Sequence, residues 1–287
     1  MPVLETTWQH EYITTNGIKL HYVTQGEGPL MLMLHGFPEF WYSWRHQIPE
    51  FAQYYKVVAL DLRGYNDSDK PKQQSAYVMD EFVKDIKGVI EGLGYDNCVL
   101  LGHDWGGIIA WNFAYNYPEM VDKLIILNLP HPAKFAQGLR NHQQLFRSFY
   151  IFVFQLPFLP EFLIQAGDYQ VLEAAFEGMA QDKTAFSKAD IEAYKDAAAK
   201  RGALTAMLNY YRNIAQQSFF NKTWGVLEVP TLMIWGEKDA ALGKELTYGT
   251  EAYVRDFQIK YIPNCSHWVQ QERPELVNQY MREFLGG

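Results

Sequence analysis

Cysteine is nearly absent: the 287-residue chain has 2, Cys98 and Cys265, with neither a C-x-x-C neighbour nor metal-ligand spacing. That excludes a disulfide framework and a thiolate metal site, and it reads as two reduced thiols in a cytosolic protein. Basic charge is also short. Lys and Arg total 25 against 33 Asp and Glu, a net charge of −8 with no basic cluster, so the chain lacks the electrostatic footprint of a nucleic-acid binder. No long apolar run is present. The best candidate, residues 149–164, carries Gln155 and Glu161 and is broken by Pro157 and Pro160, whereas a spanning helix needs about 20 uninterrupted apolar residues. It is expected not to cross a membrane, although it is able to lie against a lipid surface. The start MPVLETTWQHEY has no basic stretch followed by an apolar one, which argues against a signal peptide. No period of about 20 to 50 residues recurs, which excludes a solenoid or a propeller.

What is present is apolar and aromatic. Hydrophobic residues make up 48% of the chain and aromatic ones 16%, so disorder is excluded and many rings must either pack in a core or line a pocket. The length suits one large domain or about two ordinary ones. Residues 11–15 and 18–25 flank Asn16-Gly17 and read as a hairpin. Residues 30–34, 57–60, 98–101 and 124–127 are apolar throughout, the mark of strands buried on both faces of a parallel sheet. Residues 77–93 and 105–117 between them have helical spacing, so strand and helix alternate as in a doubly wound α/β sheet. From about 133 to 221 no convincing strand is found, only helical patterning such as 191–200 and 203–214. Strands resume at 231–235 and 257–262, and a last helix runs over 274–285. A helical block inserted between parallel strands leaves from their carboxyl ends, where ligands bind in such sheets, so it is expected to cap a site.

The sharpest local signal is Gly102-His103-Asp104-Trp105-Gly106-Gly107, a strand-to-helix turn of the G-x-nucleophile-x-G kind with aspartate in the central place. Small neighbours let strand and helix cross closely while the central residue is strained. The alternative, an ordinary Asp N-cap, is countered by context. In this motif the chain order is nucleophile, acid, histidine, and Asp239 follows the strand at 231–235 while His267 follows that at 257–262. Glu237 reads as a solvated loop carboxylate, and Asn128 cannot ionise, which leaves Asp239 as the acid. His35-Gly36-Phe37-Pro38-Glu39 follows the strand at 30–34 and matches the loop that supplies an anion-hole amide, here from Phe37, with Trp105 N–H as the other. Pro38 is a candidate for a cis bond. His103 is expected to pack rather than react, and His131 stays ambiguous.

An aspartate nucleophile is already ionised, with an ordinary pKa of about 3.9, and suits displacement at a saturated carbon. His267, oriented by Asp239, then activates water against the resulting ester. The leaving group is a halide or a strained ring oxygen. A halide wants N–H donors such as the Trp105 indole; an alkoxide wants an acid such as a phenol, for which the candidates are Tyr150, Tyr210 and Tyr211.

HGFPEFWYSWRHQIP, LDLRGYNDSDKP, GHDWGG and NYYRN resemble the epoxide hydrolases of the α/β-hydrolase superfamily over nearly the whole chain, although haloalkane dehalogenases share much of GHDWGG. The resemblance implies a mostly parallel doubly wound sheet with an inserted helical cap. The core is then 1–133 and 222–287 and the cap 134–221. It implies Asp104 as nucleophile with His267 and Asp239. Two cap tyrosines protonate the epoxide oxygen, Tyr150 through Y-x-x-x-F-Q-x-P and Tyr211 through N-Y-Y-R-N, with Tyr210 the neighbouring alternative. Phe37 stands where haloalkane dehalogenases carry asparagine, and Trp105 where fluoroacetate dehalogenases carry arginine. The aromatics Phe37, Trp41, Trp105 and Trp268, with His35, are expected to surround a small apolar epoxide and water. No metal or organic cofactor is expected, and the chain is expected to be a cytoplasmic monomer or homodimer. The rivals are a haloalkane or haloacid dehalogenase, a non-catalytic receptor on the same fold, and a serine esterase, for which neither Ser68 nor Ser266 is at the turn.

Overall fold

In a computed structural model, residues 8–214 and 222–286 are described. The eight strands are β1 (Gln9–Thr15), β2 (Ile18–Gln25), β3 (Leu30–Leu34), β4 (Lys56–Leu60), β5 (Cys98–His103), β6 (Val121–Leu127), β7 (Thr231–Gly236) and β8 (Phe257–Ile262), in the order β1-β2-β4-β3-β5-β6-β7-β8. β1 and β2 form an antiparallel hairpin whose turn residues Asn16 and Gly17 both have positive φ, as a two-residue I′ turn requires. β2 pairs antiparallel with β4, and every later pairing is parallel.

Alternate residues of a strand face opposite sides of the sheet, and β3 shows the consequence. Leu30, Leu32 and Leu34 join one apolar cluster, with α2 (Met79–Gly92) and α3 (Trp105–Asn116), while Met31 and Met33 join the other, with α1 (Ile48–Phe51) and α11 (Pro274–Leu285). Both faces are covered, which is why these strands are apolar at every position. β5 runs two residues past the expected end because Gly102 and His103 still pair with Ile126 and Leu127.

Between β6 and β7 lie α4 (Pro132–Gly138), α5 (His142–Arg147), α6 (Tyr150–Phe154), α7 (Leu159–Met179), α8 (Lys188–Ala199) and α9 (Ala203–Arg212). α7 is interrupted: Gly167, Asp168 and Tyr169 all have positive φ. The segment 149–164 is divided between α6 and α7, and no helix among the described residues is long and apolar enough to cross a membrane. α10 (Val269–Glu272) precedes α11. The expected 221/222 boundary and the N-terminal residues 1–7 lie outside the described residues.

Candidate active site

Asp104 joins β5 to α3 at φ 49°, ψ −120°, and its side chain makes no capping bond to its own helix, so it is not an ordinary N-cap. The turn tolerates no bulk around it. A Cβ on Gly106 would stand 2.1 Å from the Leu34 carbonyl oxygen, and one on Gly36 would stand 2.4 Å from the Asp104 Cβ. With the backbone so constrained, the carboxylate is lifted above the strand ends. Its Oδ1 accepts the Phe37 N–H at 2.8 Å, and its Oδ2 lies 3.5 Å from His267 Nε2. The Phe37–Pro38 bond is cis. Trp105 is the first residue of α3, so its amide is one of the unpaired donors at that helix's N-terminus.

His267 Nδ1 is 2.6 Å from Asp239 Oδ2. Asp239 is itself tightly held: Asn128 Nδ2 donates to Oδ2 at 2.7 Å, and the N–H groups of Ala241 and Leu242 donate to Oδ1 at 2.8 and 2.9 Å. Asn128 also accepts the Gly236 N–H at 2.9 Å. It therefore supports Asp239, just past β7, from the end of β6. Glu237 instead pairs with Lys244.

Burial works against charge at both ends of the central pair, and the pair overcomes it. The Asp104 carboxyl is disfavoured by desolvation, yet the hydrogen bond and charge of His267 and the Phe37 amide hold it below its ordinary value. Burial likewise lowers His267, but the Asp239 charge and the hydrogen bonds to Asp104 and Asp239 hold it well above 6.5. Charge on the imidazole and on the Asp104 carboxyl is thus mutually favoured.

Tyr150 and Tyr211 face this carboxylate from α6 and α9, with ring centroids 5.8 Å apart. Burial, with the Asp104 charge contributing, raises both phenols above their ordinary value, so both keep their protons. The Trp105 ring packs edge-on against Tyr211, with ring centroids 5.1 Å apart. The phenols and Asp104 border two apolar cavities. The larger, of about 220 Å³, is walled by Phe37, Phe154, Leu172, His267 and Trp268; the smaller, of about 40 Å³, lies against Trp105, Leu129 and Phe135.

Tyr210, the alternative to its neighbour, points elsewhere: it is fully buried and donates to the Arg63 carbonyl at 2.6 Å. Two expected lining residues also prove to be internal. His35 is fully buried, accepting the Leu62 N–H at 3.1 Å, because its side chain turns down toward β4 and the strand's following loop. Trp41 packs on Trp8, His10 and Phe40 beside β1, away from both cavities. Trp268 does line the larger cavity. His131 is a helix cap, its Nδ1 accepting the Ala133 N–H at 3.2 Å, and Tyr115 hydroxyl lies 3.0 Å from its Nε2.

Glu39 is a supporting residue that the motif alone did not single out. Fully buried, it accepts the Gly36 N–H at 2.8 Å and lies 2.7 Å from His103 Nδ1. His103 Nε2 in turn donates to the His267 carbonyl at 2.9 Å. The Gly36–Glu39 loop, the Asp104 turn and the His267 loop are thus cross-tied beneath the site. The signal was present in the adjacency of both residues to the two motifs. Among the described residues no group of three His, Cys, Asp or Glu side chains is placed to hold a metal ion.

Residues 29–274 match the family model of the alpha/beta hydrolase fold. The chain is 45% identical over 281 residues to mouse epoxide hydrolase 4, covering 95% of this chain and 78% of that protein. It is 45% identical over 287 residues to epoxide hydrolase 3 of Xenopus tropicalis, covering 96% and 78%. In three dimensions it matches a Bacillus megaterium epoxide hydrolase crystallised with an inhibitor at a TM-score of 0.90 and 40% identity, covering 96% of this chain and all of that one.

Proposed function

Because the chain belongs to the α/β-hydrolase family, and within it to the epoxide hydrolases, we propose that it opens apolar epoxides to vicinal diols through an ester on Asp104. The observation that carries this reading is the division of labour between the two carboxylate oxygens. Oδ1 is held by the Phe37 amide, whereas Oδ2 faces His267. Oδ2 attacks a ring carbon, the C–O bond breaks, and Tyr150 or Tyr211 gives its proton to the departing oxygen. These phenols are suited to the task because burial keeps them protonated.

Ester formation removes the Asp104 charge, one of the supports of the His267 imidazolium. His267 then returns a proton to the phenolate and becomes a neutral base. It takes a proton from water, which adds to the ester carbon. The oxyanion develops at Oδ1, where the Phe37 amide already lies and the Trp105 amide adds a second donor. Collapse releases the diol and restores carboxylate and imidazolium, so one water is consumed and the proton count closes. The placing of two phenols with Asp104 on one cavity favours a phenol-assisted alkoxide over halide release.

Trapping tests this directly. With His267→Gln and an aryl glycidyl ether or styrene oxide, peptide mass spectrometry is expected to find the intact epoxide mass on the Asp104 peptide. An unmodified peptide with undiminished diol production would reject it.

A further inference from the structure

The two phenols stand on separate short helices, Tyr150 at the start of α6 and Tyr211 one residue before the end of α9. Something must fix their spacing, since a proton donor has to sit within about 2.6–3.2 Å of the atom it serves. The other face of α9 is tied to the core. Tyr210 donates to Arg63, and Asn213 Nδ2 donates to the carbonyls of Gln74 and Tyr77 at 2.7 and 3.0 Å. Among the described residues no hydrogen bond ties α6 to the sheet in this way. What it has is Arg212.

The Arg212 side chain is largely buried, 11% exposed, and its planar fork reaches three pieces of chain at once. Nε donates to the Phe154 carbonyl at 3.1 Å, the last residue of α6, and Nη2 to the Leu156 carbonyl at 2.9 Å. Nη1 and Nη2 grip both carboxylate oxygens of Glu161, in the first turn of α7, at 2.8 and 2.9 Å. The tie is reciprocal, because Gln155 Nε2 donates back to the Tyr211 carbonyl at 2.8 Å. Each helix end leaves carbonyls without intrahelical partners, and here each helix satisfies those of the other. Burial disfavours the Glu161 charge, but Arg212 holds the carboxyl below its ordinary value, so the pair is ionised.

We propose that Arg212, with Glu161 and Gln155, is a positioning clamp that sets the distance between Tyr150 and Tyr211 and so controls epoxide ring opening. The inference rests on the reading of those phenols as the proton donors. It explains why an arginine follows Tyr211 and a glutamine follows Phe154: a lysine is a point charge without the fork, and the amide at 155 donates both to its own helix at the Ile151 carbonyl and to the neighbouring helix end. None of these groups touches His267, Asp239 or the Phe37 amide. The clamp therefore acts on ester formation, and it bears on ester hydrolysis only through the return of the His267 proton to the phenolate.

Rapid-quench mass spectrometry of the Asp104 peptide, with styrene oxide as probe, separates the two steps. Arg212→Lys and Gln155→Met are each expected to slow ester formation about 10- to 100-fold, the range for a displacement of roughly 1 Å, while ester breakdown stays within about twofold. On a Tyr150→Phe/Tyr211→Phe background, adding Arg212→Lys is expected to slow formation less than about threefold further. Equal loss in both steps, or a full multiplicative loss on the double-Phe background, marks a general brace and overturns the proposal. So does unchanged ester formation in a variant whose thermal melt shows it folded. If Arg212→Lys does not fold, Gln155→Met carries the test. If Tyr150→Phe/Tyr211→Phe itself leaves ester formation unchanged, it is the reading of the phenols that fails.

Discussion

Asp104 and His267 stabilise each other only where both are charged, and this has a definite pH signature. The folded His267 has a raised pKa, so its contribution is complete below its ordinary value of about 6.5 and is lost as pH rises through the raised value. The folded Asp104 has a lowered pKa, so its contribution is present above about 3.9 and is lost as pH falls through the lowered value. The stability difference between the protein and Asp104→Asn is therefore expected to be flat between about pH 4 and 6.5 and to shrink on either side of that window. Thermal melts over pH 3 to 9 (about one unit per step) check it; a difference independent of pH would contradict the ion pair. At this scale the convergence of Asp104, Asp239 and His267 was legible because each lies just past the carboxyl end of a strand, and position along the chain fixes which edge they reach. His35 and Trp41 were not, since an aromatic residue beside a motif has the same composition whether it faces a cavity or the core. What separated them from Trp268 was the direction of one side chain.

At the level of the element, the crossing of β3, β5 and α3 depends on missing side chains. Gly106→Ala would press a methyl against the Leu34 carbonyl oxygen at 2.1 Å, where backbone on both sides cannot yield cheaply. A loss of about 3 kcal/mol is expected, the upper end for overpacking. Gly178→Ala in α7 meets nothing within 4 Å and is expected to be neutral or to stabilise by up to about 1 kcal/mol. Urea melts of the two variants test the contrast; equal effects would refute it. The strands and flanking helices could be read from the sequence because two-sided burial gives β3, β5 and β7 unbroken apolar runs. The helices α4 to α7 could not. Phe146, Phe149, Phe152, Phe158 and Phe162 are exposed, so apolar residues there do not mark an inner face. The break at Gly167 to Tyr169 carries just one glycine as its signal.

For the molecule as a whole, a neutral histidine sealed in the interior sets an acid limit. His131 is fully buried and is pushed down to about 3, chiefly by burial. The unfolded chain takes up a proton near pH 6.5 that the folded chain refuses, so His131 lowers stability progressively as pH falls from about 6.5 toward its folded value. His131→Asn keeps a capping side chain and removes the titration. Its urea midpoint is expected to fall less between pH 7 and pH 4.5 (about the useful range) than that of the unaltered protein. A parallel fall would assign the acid limit elsewhere.

The ester on Asp104 is the claim on which the chemistry depends, and the fate of one oxygen atom tests it most directly. In a single turnover with enzyme in excess over styrene oxide in oxygen-18 water, the mechanism requires the new oxygen to enter the Asp104 carboxylate and the diol to leave with unlabelled protein oxygen. Label is expected on the Asp104 peptide and nearly absent from the first diol formed. Label in that first diol, with an unlabelled Asp104, would mean that water attacks the epoxide itself and would contradict the account.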